Sequence, residues 1–286
     1  MTALLDLGAD VEWTDAGAAA TARDRARREL GRLADLIEWL AATQGRFPPR
    51  PLQRVRLVVV GRVDDTVAGL AADAGVGVRT LDPTGGVAAG AAAADDEIER
   101  GADLLVLAAD TDPDAAAVVV SALTRAEPVA LLPRGAQAVD TARWIARAGA
   151  IREGRRRIMS LRARPDELLA ALDSAPLAVA AGFVVRTAAR RTAMLLDGPT
   201  AVAAALLGYE MQARVARWWQ LADASPDPVQ SLAADRIGDR PLLDLGLTGP
   251  AGVAGLLAAS VVRAAAAAVV TDTDTDTDTD TVGPAA

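Results

Sequence analysis

The chain has 286 residues, 51% of them apolar but only 3% aromatic, and it contains neither cysteine nor histidine. That length suits one large α/β domain with a smaller appendage, its core built from Ala, Leu and Val; the missing residue types exclude a disulfide framework, thiolate or Ser-His-Asp catalysis and the usual zinc sites. Five units of the formal charge of −8 come from the alternating tail Asp272 to Asp280, which leaves a nearly neutral body whose arginines interleave with acids and form no basic face for nucleic acid.

Met1 to Trp13 lacks a basic region and includes Asp6, Asp10 and Glu12, so it does not read as a signal peptide, and a cytoplasmic location is expected. Thr14 to Thr43 predicts one long helix, with Leu30, Leu33, Ile37 and Leu40 at three- and four-residue spacing and Gly45 with Pro48-Pro49 as the stop. From Val55 the pattern changes. Short β-branched or apolar runs predict strands at 55–61, 76–81, 104–108, 129–132, 193–196 and 217–221, separated by helical stretches at 66–74, 91–101, 113–125, 165–172, 176–191 and 200–207. This alternation implies a three-layer α/β fold, a mostly parallel sheet with helices on both faces and ligand sites at the carboxyl ends of its strands.

The segment after residue 108 is acidic: Asp110, Asp112 and Asp114 surround Thr111 and Pro113. Asp112 as N-cap with Pro113 at the first helical position explains it structurally. The Asp-x-Asp-x-Asp spacing also suits a calcium loop, but the sixth position is Ala115 and the twelfth Ser121, so no metal is expected. Arg155, Arg156 and Arg157 form the densest basic patch and read as a solvated helix face. Gly249 to Val270 is apolar except for Arg263 and reads as a packed helix, because alanine and glycine contribute little transfer energy and an arginine is costly near a bilayer centre. Thr271 to Thr281 alternates Thr and Asp with no apolar face and is expected to be disordered.

Three stretches carry a family resemblance. Pro241 to Leu247, Pro-Leu-Leu-Asp-Leu-Gly-Leu, resembles the C-terminal signature of the nicotinate-nucleotide:dimethylbenzimidazole phosphoribosyltransferases. Arg190 to Gly198 resembles that family's Arg-Arg-x-Pro-Val-x-x-Asp-Gly, and Leu30 to Leu52 its Leu-Gly-Arg-Leu helix with a Gln-Gly-x-x-Pro-Pro exit. The resemblance implies an α/β core at 53–248, with a small helical domain built from an N-terminal segment, 1–52, and a C-terminal helix, 249–270, followed by the tail 271–286. It also implies a homodimer and transfer of phosphoribose from nicotinate mononucleotide to a benzimidazole in cobalamin biosynthesis, with a carboxylate taking the proton of the attacking nitrogen. No cofactor, metal, nucleic acid or membrane is implied.

On the same resemblance Gly135, Asp197, Gly198, Ser225, Gly246 and Leu247 are the expected substrate contacts. The departures are as informative. The signature's catalytic glutamate falls on Ala251, a second pocket glutamate on Pro176, and the glycine-rich phosphate loop is replaced by Ala108 to Ala116 with its three aspartates. A phosphate needs amide donors and no competing negative charge. A separate family loop, Ala-Ser-His-Arg-Ser-x-Glu-Pro, falls on Leu221 to Pro228, where its histidine and arginine are likewise absent. The expectation is therefore a degenerate paralogue with weak or no activity that still takes nicotinate mononucleotide or a benzimidazole. The alternatives are an active transferase with Asp197, Asp223 or Asp227 as base, or a non-catalytic subunit paired with a competent homologue.

Overall fold

The computed structural model describes residues 3–26, 28–111, 113–133 and 140–275, so the expectations at Asp112, at Arg134-Gly135 and for the tail beyond residue 275 lie outside the described residues. Strands β1 (Val55–Val60), β2 (Gly77–Leu81), β3 (Leu104–Ala109), β4 (Met194–Leu196) and β5 (Trp219–Leu221) form one sheet in the order β2-β1-β3-β4-β5. Every pairing in it is parallel. A sheet covered on both faces must be apolar on both, and side chains alternate along a strand. Val58, Val60, Leu105 and Leu107 accordingly enter one core, while Leu57, Val59, Leu104 and Val106 enter the other.

Over the first face lie α5 (Gly86–Glu99), α6 (Asp114–Thr124), α9 (Ala175–Ala189) and α10 (Pro199–Met211), flanked by α1 (Leu4–Ala9), α7 (Thr141–Ile158), α8 (Pro165–Leu172) and α11 (Pro228–Ile237). The second face is covered by α4 (Asp65–Asp73) and α12 (Val253–Thr275), and α12 packs in turn on α3 (Arg32–Gln44), which pairs with α2 (Ala16–Arg25). Helices from both ends of the chain thus meet on one side of the sheet. Arg263, the one charge in the apolar C-terminal run, donates to the Ala74 and Gly75 carbonyls at the end of α4, at 2.5 and 3.4 Å. No helix among the described residues is long and apolar enough to cross a membrane.

The closest helix pair is α5 with α9, and glycine permits it. A β-carbon on Gly90 would stand 1.9 Å from the Val179 carbonyl oxygen, and one on Gly182 would stand 2.1 Å from that of Val87. At the sheet's other edge, Glu97 of α5 is 1% exposed and accepts from Arg56 of β1 at 2.6 Å and Arg79 of β2 at 3.3 Å. A buried carboxylate needs such partners, and here they tie the helix to the edge strand β2 and to its neighbour β1.

Several predicted elements differ from those observed. The helix expected over Thr14 to Thr43 is α2, a 3₁₀ turn at Arg28–Leu30 and α3, with Gly31 at φ 54° between turn and helix. The apolar periodicity began only at Leu30, so it described α3; α2 buries just Ala22 and folds back on its neighbour. The strand expected at Val129 to Leu132 is a 3₁₀ turn, Pro128–Leu131, because Pro128 presets a helical φ and β4 already occupies the place beside β3. In 217–221 only Trp219–Leu221 is strand, preceded by a 3₁₀ segment, Ala213–Trp218. Pro113 is the N-cap of α6 and not its first residue. Finally, α12 begins at Val253 and continues through Thr275, so the first Thr-Asp pairs are helical. Once a helix is nucleated, each further residue adds a hydrogen bond at little cost.

Substituting Gly90→Ala should lower unfolding free energy by about 1–3 kcal/mol, since backbone must move to admit the methyl. Gly69→Ala on the exposed face of α4, where nothing lies within 4 Å, should be neutral or slightly stabilising. Urea unfolding midpoints of the two variants check the contrast.

Candidate functional site

The carboxyl ends of β3, β4 and β5 open into a cavity of about 650 Å³. Each of these strands delivers an aspartate to it: Asp110 directly after β3, Asp197 directly after β4 and Asp223 two residues after β5. Ladder bonds extend past the strand ends, from Asp110 N–H to the Val60 carbonyl, from Asp197 N–H to Leu107 and from Ala222 N–H to Leu196, each 2.9 Å. The aspartates therefore stand on rigid backbone. A second cavity, about 900 Å³, is larger but opens at the amino ends of the strands among Ala102, Asp103 and Ala193, the wrong end for chemistry in this architecture.

The wall opposite the strand exits is the segment 243–255, held to them by side-chain carboxylates. Asp223, 2% exposed, accepts the Leu245 amide at 3.0 Å and the Leu247 amide at 3.3 Å, while its own carbonyl accepts from Gln230 Nε2 at 2.8 Å. Asp197, 9% exposed, accepts with Oδ2 from Gly252 at 3.0 Å and from Gly255 at 2.9 Å. These are donors of the first turn of α12, so Asp197 caps that helix from 55 residues away. Gly255 allows the approach, because a β-carbon there would stand 2.3 Å from Val106. The signature run is anchored from outside as well: Leu242 and Leu243 donate to the Leu221 and Ala222 carbonyls at 2.9 and 3.0 Å, and Arg32 of α3 donates to the Pro241 carbonyl at 2.6 Å. Pro241 to Leu247 forms one isolated bridge, Asp223 to Leu243, in place of a full strand.

Asp227, the N-cap of α11, accepts from Val229 at 2.8 Å and donates its own amide to the Ser225 hydroxyl oxygen at 3.1 Å. Burial pushes its carboxyl above the ordinary range, against the pull of the Val229 and Gln230 amides and of Arg147. The Thr111 and Thr200 hydroxyls lie 3.3 Å apart across the floor. Arg147 of α7 is the one basic residue among the described lining residues, and it is bound to Asp114 at 2.6 Å.

Of the residues named from sequence, Asp197, Gly198, Ser225, Leu247, Asp227 and Ala251 all line this cavity. Gly246, at φ 61°, lies in the wall segment without lining the cavity, and Gly135 lies outside the described residues. Ala251 is half-buried, its methyl packed with the second-face core. Arg155 and Arg156 pair with Glu127 and Glu153 and do not reach the cavity. Arg147 and the Thr111–Thr200 pair were not singled out from sequence; each lies on an unremarkable helix or loop, and only the tertiary fold brings it here.

Comparison with known proteins agrees with this fold. A family model described as phosphoribosyltransferase matches residues 83–279. The nicotinate-nucleotide–dimethylbenzimidazole phosphoribosyltransferase of Mycobacterium avium is 34% identical, covering 90% of this chain and 93% of that protein. The protein of the same name from Streptomyces avermitilis is 31% identical over 90% of this chain and 87% of its own length. Two crystal structures from Thermus thermophilus share the fold. One, of a nicotinate-nucleotide-dimethylbenzimidazole phosphoribosyltransferase, has TM-score 0.72 at 23% identity over 90% of this chain and 96% of its own. The other, of CobT, has TM-score 0.74 at 22% identity over 93% and 96%.

Burial, reinforced by the Asp223 charge, pushes the Asp197 carboxyl from 3.8 up to about 6 despite the Gly255, Gly252 and Ala254 amides. Between those values the folded chain holds a proton that the unfolded chain has released, so this group's stabilisation is complete below about pH 4 and is lost as pH rises to about 6. A rise of that size corresponds to about 3 kcal/mol. Asp239, also pushed up to about 6 by burial, acts in the same direction and is unchanged in an Asp197 variant. Asp197→Asn should therefore show a shallower decline in unfolding free energy between about pH 4 and about pH 6 than the native chain, measured by urea titration at several pH values.

Proposed function

The chain belongs to the nicotinate-nucleotide–dimethylbenzimidazole phosphoribosyltransferase family, and from that premise we propose that it is a degenerate member with weak or no transferase activity. In the family reaction a general base takes the benzimidazole proton as the nitrogen attacks the ribose C1′ and nicotinate leaves, and such a base contributes roughly 10²–10⁴-fold. One observation carries the proposal: the deep carboxylates facing the cavity are occupied by backbone amides. Asp197 holds two, Asp223 holds two and Asp227 caps α11. The position where the resemblance places the base carries the Ala251 methyl. Asp197 and Asp223 are engaged as acceptors within the fold, so a substrate proton would have to compete with the amides that hold the wall.

The β3 exit supports the same reading. It offers Asp110 and Pro113 where a phosphate would need amide donors, and Pro113 has no N–H. The second reading, an active transferase with a relocated base, is favoured by Asp227: it is the least enclosed of the three deep carboxylates, and burial raises its carboxyl above the ordinary value, as it does for the more deeply buried Asp197. Either form is proposed to work in the cytoplasm as a homodimer, or as the non-catalytic subunit of a heterodimer with a competent homologue, which mixing experiments with light scattering would separate.

Benzimidazole-dependent release of nicotinate from nicotinate mononucleotide should be about a hundredfold or more slower than for the Mycobacterium avium relative assayed alongside. Comparable turnover would overturn the degenerate reading. If residual turnover exists, its abolition in Asp227→Asn with retention in Asp110→Asn selects the relocated base.

A further inference from the structure

We infer that the cavity at the strand exits takes an unphosphorylated N-heteroaromatic base or riboside, neutral or cationic, and rejects the corresponding 5′-phosphorylated nucleotide. The inference rests on the degenerate reading and concerns what the pocket still binds. Four carboxylates line the cavity, Asp110, Asp197, Asp223 and Asp227, against one guanidinium among the described residues, Arg147, which Asp114 already engages through Nε at 2.8 Å and Nη2 at 2.6 Å. A dianionic phosphate entering here meets net negative charge in a partly desolvated space, where screening by water and salt is reduced.

The donors that ordinarily attract phosphate are also taken. Helix starts supply amide donors and a positive dipole end, and four helices begin at this cavity. Asp197 occupies the start of α12 and Asp227 that of α11. Asp114 sits in the first turn of α6, after Pro113. At α10 the N-cap is Gly198 with no side-chain cap, but it directly follows Asp197, and the polar groups beside it are the neutral hydroxyls of Thr111 and Thr200. Those suit a ribose hydroxyl.

What remains suits a flat ring. Leu131, Pro133, Leu247, Pro250 and Ala251 give apolar surface to a cavity of about 650 Å³, within the range that encloses a small organic ligand. Asp110 is exposed, and its one ion-pair contact among the described residues is with Arg62 at 3.8 Å, so its carboxylate can accept from a ring N–H or face a ring cation.

The test is calorimetric titration of the full chain at about pH 8, where carboxyls and phosphate are both ionised, with a matched pair, nicotinic acid riboside and nicotinate mononucleotide, which differ only in the 5′-phosphate, together with 5,6-dimethylbenzimidazole. The riboside or the benzimidazole should bind, and the mononucleotide should bind at least about tenfold more weakly than the better of them. Asp110→Asn should narrow that gap, as should raising the salt. Mononucleotide binding as tight as the riboside, or no binding of either unphosphorylated ligand, overturns the inference. Tight mononucleotide binding without turnover sinks this inference and leaves the degenerate reading intact, whereas turnover sinks that reading itself.

Discussion

The contact on which the rest of this structure depends is the Asp197 carboxylate set against the amides of Gly252 and Gly255. It joins the exit of β4, an interior strand of the sheet, to the start of the C-terminal helix, and so fixes where α12 lies across β1, β3 and β4. The carboxylate is almost wholly removed from water, and its ionisation there is unfavourable unless amides compensate. They do so in part: its pKa still stands at about 6. The helix start gains a cap, the carboxylate gains donors, and neither would be satisfied alone. Gly255 makes the geometry possible, since any side chain there would collide with Val106.

Asp223 repeats the device one strand over, holding Leu245 and Leu247 as Asp197 holds Gly252 and Gly255. The two together suspend the wall 243–255 from the ends of β4 and β5. This has an electrostatic consequence for the cavity. Strand exits and helix starts in a parallel α/β fold gather amide donors and favour anions. In this chain internal carboxylates fill that role at α11 and α12, and Asp110 and Asp114 add charge at the β3 exit. The fixed charges gathered at these strand exits therefore oppose an anion where backbone geometry alone would favour one.

What could be read from the sequence follows from the range of the forces involved. The parallel sheet was legible because Val55 to Val60 and Leu104 to Ala108 are apolar at almost every position, which only a doubly covered strand requires. Asp197-Gly198 was legible because a strand followed by Asp-Gly marks an exit. The 3₁₀ turn at Pro128–Leu131 was not, because four apolar residues suit a strand and a short helix equally, and only the occupied sheet position decides between them. Breaking of the predicted N-terminal helix at Arg28–Leu30 depends on α2 folding back on α3, a tertiary fact. The same holds for Arg147, whose place in the cavity is set by the α6–α7 packing and by Asp114. Asp197 was legible as a site residue but not as a helix cap, since its partners lie 55 and 58 residues away.

The pattern of what is present and what is absent has a physical basis. Gly252, Gly255, Asp197 and Asp223 are required to close the chain around its own sheet, whatever the cavity does: removing any one leaves a buried carboxylate, an uncapped helix or a steric clash. A base at position 251 has no such duty. Ala251 needs only to cover the second-face core, which a methyl does without the desolvation that a carboxylate would suffer beside Asp197. A glutamate there would in fact add a like charge beside two buried acids, and would push the Asp197 carboxyl up further. On the proposed degenerate reading, the same wall keeps its clamps, Asp197 and Asp223 on the 243–255 amides, while the Ala251 methyl covers the core at no electrostatic cost.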